Sequence, residues 1–316
     1  MEENKDRDVH NRDKTVENGQ GSFLRDFIAG ICIGVAFIIP GFSGGSVAAI
    51  LGVYERLVNA IANIFKEMKK SIITLLPIGL GLVTGAASLL YPIGFIIERF
   101  PLPTVSVFVG LAIGGIPSVS AKLKGKLRAY NVIAFSIPCL LAVALSFIPV
   151  GADVDLFSIG LGGYLLLFLV GILGSSALVV PGISGSMLLL ILGYYNPILK
   201  LVTEHLFRFE DLGDCILILG ACGIGVVIGF FLISLLMKNL LIKYPRGTYF
   251  AIIGFIVGSL PTVYVATMKS VDMLTPSLEI VELPSSPWHY VICLCLMLVG
   301  VAVTYGFTRI AARKAD

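Results

Sequence analysis

The chain has 316 residues, of which 57% are hydrophobic and 14% charged, with a formal net charge of +3 and a mean hydropathy of +0.95. A soluble globule of that composition would expose more apolar surface than water tolerates, whereas a helical bundle bathed in lipid tails need not hide it. The small, dispersed positive charge also excludes a phosphate-tracking nucleic-acid surface, so the basic residues are read as topology signals and no nucleic-acid partner is expected.

Residues 1–22 carry four basic and six acidic side chains and no apolar run, and are expected to form a disordered cytoplasmic tail. From Phe23 onward ten apolar segments alternate with charged or Gly/Pro-rich joints: 25–39, 46–64, 72–97, 103–120, 129–149, 159–180, 186–202, 214–241, 248–267 and 288–310. Each is read as one helix. The first has roughly 13 apolar residues between Asp26 and Pro40, about 20 Å of helix against a hydrocarbon core of ~30 Å, and so is too short to cross. Segments one and two are therefore expected to form a re-entrant hairpin from the cytoplasm.

Orientation follows from the basic residues outside the tail. Alternating the segments across the membrane puts fifteen of the nineteen on one side, among them Arg25, Arg56, the run from Lys122 to Arg128, Lys243 and Arg246. Arg99, Lys200, Arg208 and Lys269 fall on the other side, whose loops carry Asp153, Asp155, Asp272, Glu279 and Glu282. The basic side is cytoplasmic by the positive-inside rule, and both termini lie there.

The chain repeats itself. Pro40-Gly41-Phe42-Ser43-Gly44-Gly45-Ser46 through Ile50-Leu51-Gly52-Val53-Tyr54 recurs as Pro181-Gly182-Ile183-Ser184-Gly185-Ser186-Met187 through Ile191-Leu192-Gly193-Tyr194-Tyr195, at an offset of 141. Gly81, Gly85, Pro101, Gly110, Gly114 and Pro117 match Gly225, Gly229, Pro245, Gly254, Gly258 and Pro261 at an offset of 144. Five segments per unit is an odd number, so the second copy enters the membrane from the opposite side. The expected fold is an all-α polytopic membrane protein with two inverted five-segment halves, 23–150 and 151–316, whose two re-entrant hairpins meet near the midplane.

Broken backbone at membrane depth is tolerated only where it is buried in protein or lines a cavity, so paired breaks in two inverted halves mark a candidate substrate site. Ser43, Gly44, Gly45 and Ser46 in the first tip, with Ser184, Gly185 and Ser186 in the second, offer small side chains, hydroxyls and close backbone approach to an anion. Tight packing at a kink is the bland alternative. Arg56, Arg99 and Arg246, at the headgroup levels, are candidates to meet a phosphate at the two mouths, against the alternative of interfacial anchors. Arg56 is expected about 15 Å from the first tip along a straight helix.

Gly-x-Ser-Gly also suits an intramembrane serine protease, but such a serine needs a base. The histidines are His10 in the tail and His205 and His289 in loops or at a helix edge, so an enzyme is not expected. The six cysteines show no ligand spacing and are read as small core residues. With no nucleotide-binding motif and no metal-ligand spacing, neither cofactor nor metal is expected.

The two Pro-Gly-x-Ser-Gly motifs, each followed by Leu-Gly-x-Tyr (Leu51 to Tyr54, Leu192 to Tyr195), resemble the polyprenyl-phosphate transporter family of the PopT type over about residues 23–310. The resemblance implies translocation of undecaprenyl phosphate from the outer to the inner leaflet of the bacterial plasma membrane, with the carrier lipid as partner and its reuse for envelope polymers as purpose. A phosphate head crosses hydrocarbon only at high cost, whereas a polyprenyl tail can stay in lipid, so the protein need shield only the head. The alternative reading is an ion-coupled transporter or channel for a small soluble anion. The second motif departs from the first in having Ser186 where Gly45 stands and Asn196-Pro197 in place of Glu55-Arg56.

Overall fold

A computed structural model describes residues 23–38, 43–123, 127–149, 151–202, 212–274 and 287–313. The expected tail and the tip residues Pro40, Gly41 and Phe42 lie outside the described residues, as do His205 and Arg208. The described residues are helical with no strand. In the first half the helices are α1 (Phe23–Ile38), α2 (Gly44–Ile50), α3 (Tyr54–Ala62), α4 (Met68–Arg99), α5 (Pro101–Ser120) and α6 (Ala129–Phe147). In the second they are α7 (Leu161–Val179), α8 (Gly185–Ile191), α9 (Tyr195–Lys200), α10 (Leu212–Lys243), α11 (Pro245–Leu274) and α12 (Pro287–Arg313).

Five of these, α4, α5, α10, α11 and α12, contain stretches long and apolar enough to cross a membrane, and a sixth crossing arises if the bent pair α2 and α3 counts as one span. Their outward faces are apolar. Leu217, Ile224, Val227 and Leu236 on α10 and Leu294, Leu298 and Val303 on α12 are exposed, which is stable against lipid tails and not against water. Prolines open α5, α11 and α12, where a missing N–H costs no hydrogen bond, and the residues before the first two, Phe100 and Tyr244, end the preceding helices.

Two of the ten expected helices are broken. Segment 46–64 divides at Gly52, with α2 and α3 bent 118° from one another, and segment 186–202 divides at Gly193. The cause is the same in both. Gly52 and Gly193 take φ of +71° and +76°, and the next residue's N–H reaches back to close the turn, Val53 to the Ala48 carbonyl and Tyr194 to the Leu189 carbonyl at 3.0 and 2.9 Å. This is the left-handed glycine C-cap that ends helices, which apolar periodicity does not register. Arg56 therefore does not lie along a straight helix from the first tip. The cysteine expectation also fails in part: Cys215 is buried, but Cys32 and Cys295 are exposed.

The long helices pack in pairs through the repeated glycines. α1 lies along α4, with Gly30 against Ile78 and Gly34 against Leu82; α7 lies along α10, with Gly225 against Phe168 and Gly229 against Ile172. In each pair residue numbers rise together, so the paired helices run parallel. A Cβ at Gly81 or Gly225 would enter the backbone carbonyl of Phe27 or Phe168, which is why these crossings need glycine. The last helix of each half packs on the other half: α6 on α11, through Gly254 against Phe135 and Gly258 against Cys139, and α12 on α5, through Gly110 against Met297 and Gly114 against Val301. α5 and α11 meet at the centre in opposite directions. Ser106 Oγ and Tyr264 Oη share a hydrogen bond of 3.0 Å at one end, and Val119 joins the cluster of Ile252 and Ile256 at the other.

Candidate functional site

The two broken hairpins border a half-open cavity of about 260 Å³, close to the lower end of small-ligand pockets (roughly 300 Å³). Ser43 and Gly44 line it from the first motif and Ile183, Ser184 and Gly185 from the second, so the sequence-paired tips are brought together. Phe37 covers one side. The rest of the wall comes from the second half: Val170, Gly171, Gly174 and Ser175 of α7, Leu189 of α8, Tyr195 of α9, and Cys222 and Val226 of α10.

The two serines differ. Ser184 precedes α8 in extended conformation (φ −90°, ψ 121°), and its Oγ accepts the Met187 N–H at 3.4 Å, a long helix cap. Ser43 has nearly the same backbone (φ −104°, ψ 122°) but makes no cap, and its buried Oγ has no hydrogen-bond partner among the described residues. Ser46 Oγ is likewise buried and unpartnered. Gly45 is buried but does not line the cavity, and only the backbone of Ser186 is described. A Cβ at Gly44 would lie 2.7 Å from Cζ of Phe37, so a side chain there would push the Phe37 ring aside.

None of the three arginines lines the cavity, and among the described residues no charged side chain does. Arg99 is exposed at the end of α4, and Arg246 is half-buried in the first turn of α11. Arg56 donates from both terminal nitrogens to the carboxylate of Asp26, at 2.9 and 2.5 Å, tying α3 to the first turn of α1. The Asp26 side chain is 4% exposed and that of Arg56 25%, so the pair has a dry and a wet end. Beside it Lys122 Nζ lies 3.4 Å from Glu55 Oε1, and Lys238 donates to Asn63 Oδ1 at 2.7 Å.

Sequence reasoning missed Asp26, which served only to bound an apolar run. The signal available was an acid in the first turn of an apolar segment whose only other charge is the neighbouring Arg25. It also missed Phe37, Ser175 and Cys222, ordinary residues of apolar helices that only packing brings to the cavity. Tyr195 was legible as the last residue of the second Leu-Gly-x-Tyr. His289 is exposed at the start of α12, so among the described residues no imidazole stands by Ser43 to act as a base.

Apolar helices facing outward, with paired backbone breaks beside a mostly apolar cavity that also presents serine hydroxyls and glycines and, among the described residues, no charge, define a multi-pass membrane protein built like a transporter. Residues 33–279 match the family described as undecaprenyl phosphate translocase-like (VCA0040-like), and the chain belongs to that family. It is similar to a polyprenyl-phosphate transporter of Vibrio cholerae, at 26% identity over 92% of this chain and 98% of the relative. A polyprenyl-phosphate transporter of Staphylococcus aureus is 27% identical over 92% of this chain and 97% of its own. No solved structure matches the chain.

Proposed function

We propose that this protein carries polyprenyl phosphate, undecaprenyl phosphate in particular, from the outer to the inner leaflet of a bacterial plasma membrane, returning the carrier lipid for another round of envelope synthesis. The observation that carries the reading is a cavity lined by residues of both Pro-Gly-x-Ser-Gly motifs. Its hydroxyls and small residues suit a phosphate head, and its neutrality suits passage over trapping, since a ring of arginines would hold a phosphate tightly. The tail stays in the surrounding lipid. The family and both relatives are described by transport of this lipid class and not by catalysis.

In this reading 23–150 and 151–316 are inverted halves, the hairpins α1–α3 and α7–α9 are re-entrant, and residues 1–22 and the C-terminus are cytoplasmic. The parallel pairs α1/α4 and α7/α10 support it, as do the opposed directions of α5 and α11 and the exchange of α6 and α12 between halves. Arg99 serves capture at the outer mouth. Arg56 and Arg246 serve release at the inner one, Arg56 by exchanging Asp26 for phosphate. Purified protein should bind undecaprenyl phosphate in preference to undecaprenyl pyrophosphate and to inorganic phosphate. Equal binding of inorganic phosphate would favour the small-anion transporter.

A further inference from the structure

The cavity has a counterpart that is shut. Its wall residues Gly174, Leu189 and Tyr195 correspond, at the offset of 141, to Ile33, Ala48 and Tyr54, and Cys222 corresponds to Ile78 at the offset of 144. All four counterparts are buried, between 0% and 3% exposed, and belong to one core cluster. The backbones beneath are alike: Gly171 abuts the Cys222 carbonyl as Gly30 abuts the Ile78 carbonyl. The same crossing therefore supports an open cavity in the second half and packed side chains in the first.

Larger side chains at 33 and 78 account for part of the filling, yet the packed region is not built as a permanent core. Tyr54 Oη, Ser43 Oγ and Ser46 Oγ are each buried at 4% exposure or less with no partner among the described residues. A buried polar atom normally finds a partner, and three without any between positions 43 and 54 mark groups that another state satisfies. The region is also tied shut. Asp26 and Arg56 clamp α1 to α3, whereas the corresponding positions in the second half hold Leu167 and Pro197, which cannot pair.

We infer that the first half contains a second phosphate-head site, closed in this structure, in which Tyr54 and Ser46, with Ser43 shared between this site and the open cavity, present their hydroxyls to a phosphate monoester and which opens when the Asp26–Arg56 pair parts. This rests on the transport reading: the head lodges in one cavity while the other is packed, and the halves exchange these states.

The test uses full-length protein without its native cysteines, carrying Ala48→Cys or Leu189→Cys, in right-side-out and everted vesicles with a membrane-impermeant maleimide. Position 189 should react from one face and position 48 from neither. Adding Asp26→Asn should raise modification of position 48 about tenfold, the factor that ~1.4 kcal/mol represents, from the face opposite to that of position 189. Undecaprenyl phosphate should then protect position 48, severalfold less well with Tyr54→Phe. Continued protection of position 48 in the Asp26→Asn protein, with position 189 still reactive as proof of folding, would overturn the inference. So would exposure of position 48 that neither undecaprenyl phosphate nor inorganic phosphate reduces. Protection by inorganic phosphate alone would uphold the second site and overturn the lipid reading instead.

Discussion

Ser43 and Ser184 occupy equivalent places in the two motifs, yet replacing each by alanine should shift stability in opposite directions. Ser184 Oγ accepts the Met187 N–H at 3.4 Å. Losing a helix cap costs about 0.5–2 kcal/mol, and polar contacts within membrane proteins average only ~0.6 kcal/mol, so for a bond this long Ser184→Ala should cost about 0.5–1 kcal/mol. Ser43 Oγ, 4% exposed by residue, has no partner among the described residues, so it has lost water without compensation. An unmet buried hydroxyl costs roughly 1–3 kcal/mol, and Ser43→Ala should return about 1 kcal/mol of it to the ligand-free protein. Thermal unfolding in detergent should show Ser43→Ala raising Tm by about 2 °C and Ser184→Ala lowering it by 1–2 °C. Affinity should move the other way at position 43: a hydrogen bond to a charged phosphate is worth ~1.5–3 kcal/mol, so Ser43→Ala should weaken undecaprenyl phosphate binding by about tenfold or more. If Ser43→Ala destabilised the free protein as much as Ser184→Ala, or bound the lipid as well as the parent, Ser43 would be a packing residue and the argument for its role would fail.

The two turn glycines should also rank unequally. A Cβ at Gly52 meets nothing within 4 Å, so Gly52→Ala should cost only the left-handed backbone, about 1–2 kcal/mol; at Gly193 a Cβ would also enter the Ala152 carbonyl, and Gly193→Ala should lower Tm further. In the Asp26–Arg56 pair the buried member is the acid, so Arg56→Leu, which strands a carboxylate, should cost about 3 kcal/mol, and Asp26→Asn less, since Arg56 is 25% exposed and can turn to water. A double-mutant cycle read by chemical unfolding measures this, and equal costs would contradict the assigned burial. For topology, Lys122→Cys and Asp155→Cys in a cysteine-free protein should react with an impermeant reagent from opposite membrane faces; labelling of both from outside intact cells would refute the orientation.

Composition and pattern alone determined that this is a helical membrane protein, because the free energy of placing apolar side chains in lipid depends on side-chain type and not on tertiary contacts. The repeat was equally legible, and with it the glycines at 81, 85, 225 and 229, whose missing Cβ atoms foretell close helix crossings. So were the serines at 43 and 184. What sequence left open were matters decided by distant partners or by backbone dihedrals. Apolar periodicity runs unbroken through Gly52 and Gly193, and only the positive φ angles show that each helix stops and turns there. Arg56 reads as an unspent cation until folding brings Asp26 against it across thirty positions. The exchange of α6 and α12 between halves depends on which surfaces meet. So does the contrast between an open cavity at Tyr195 and a packed cluster at Tyr54, since near-identical motifs carry no record of which copy the rest of the bundle has closed.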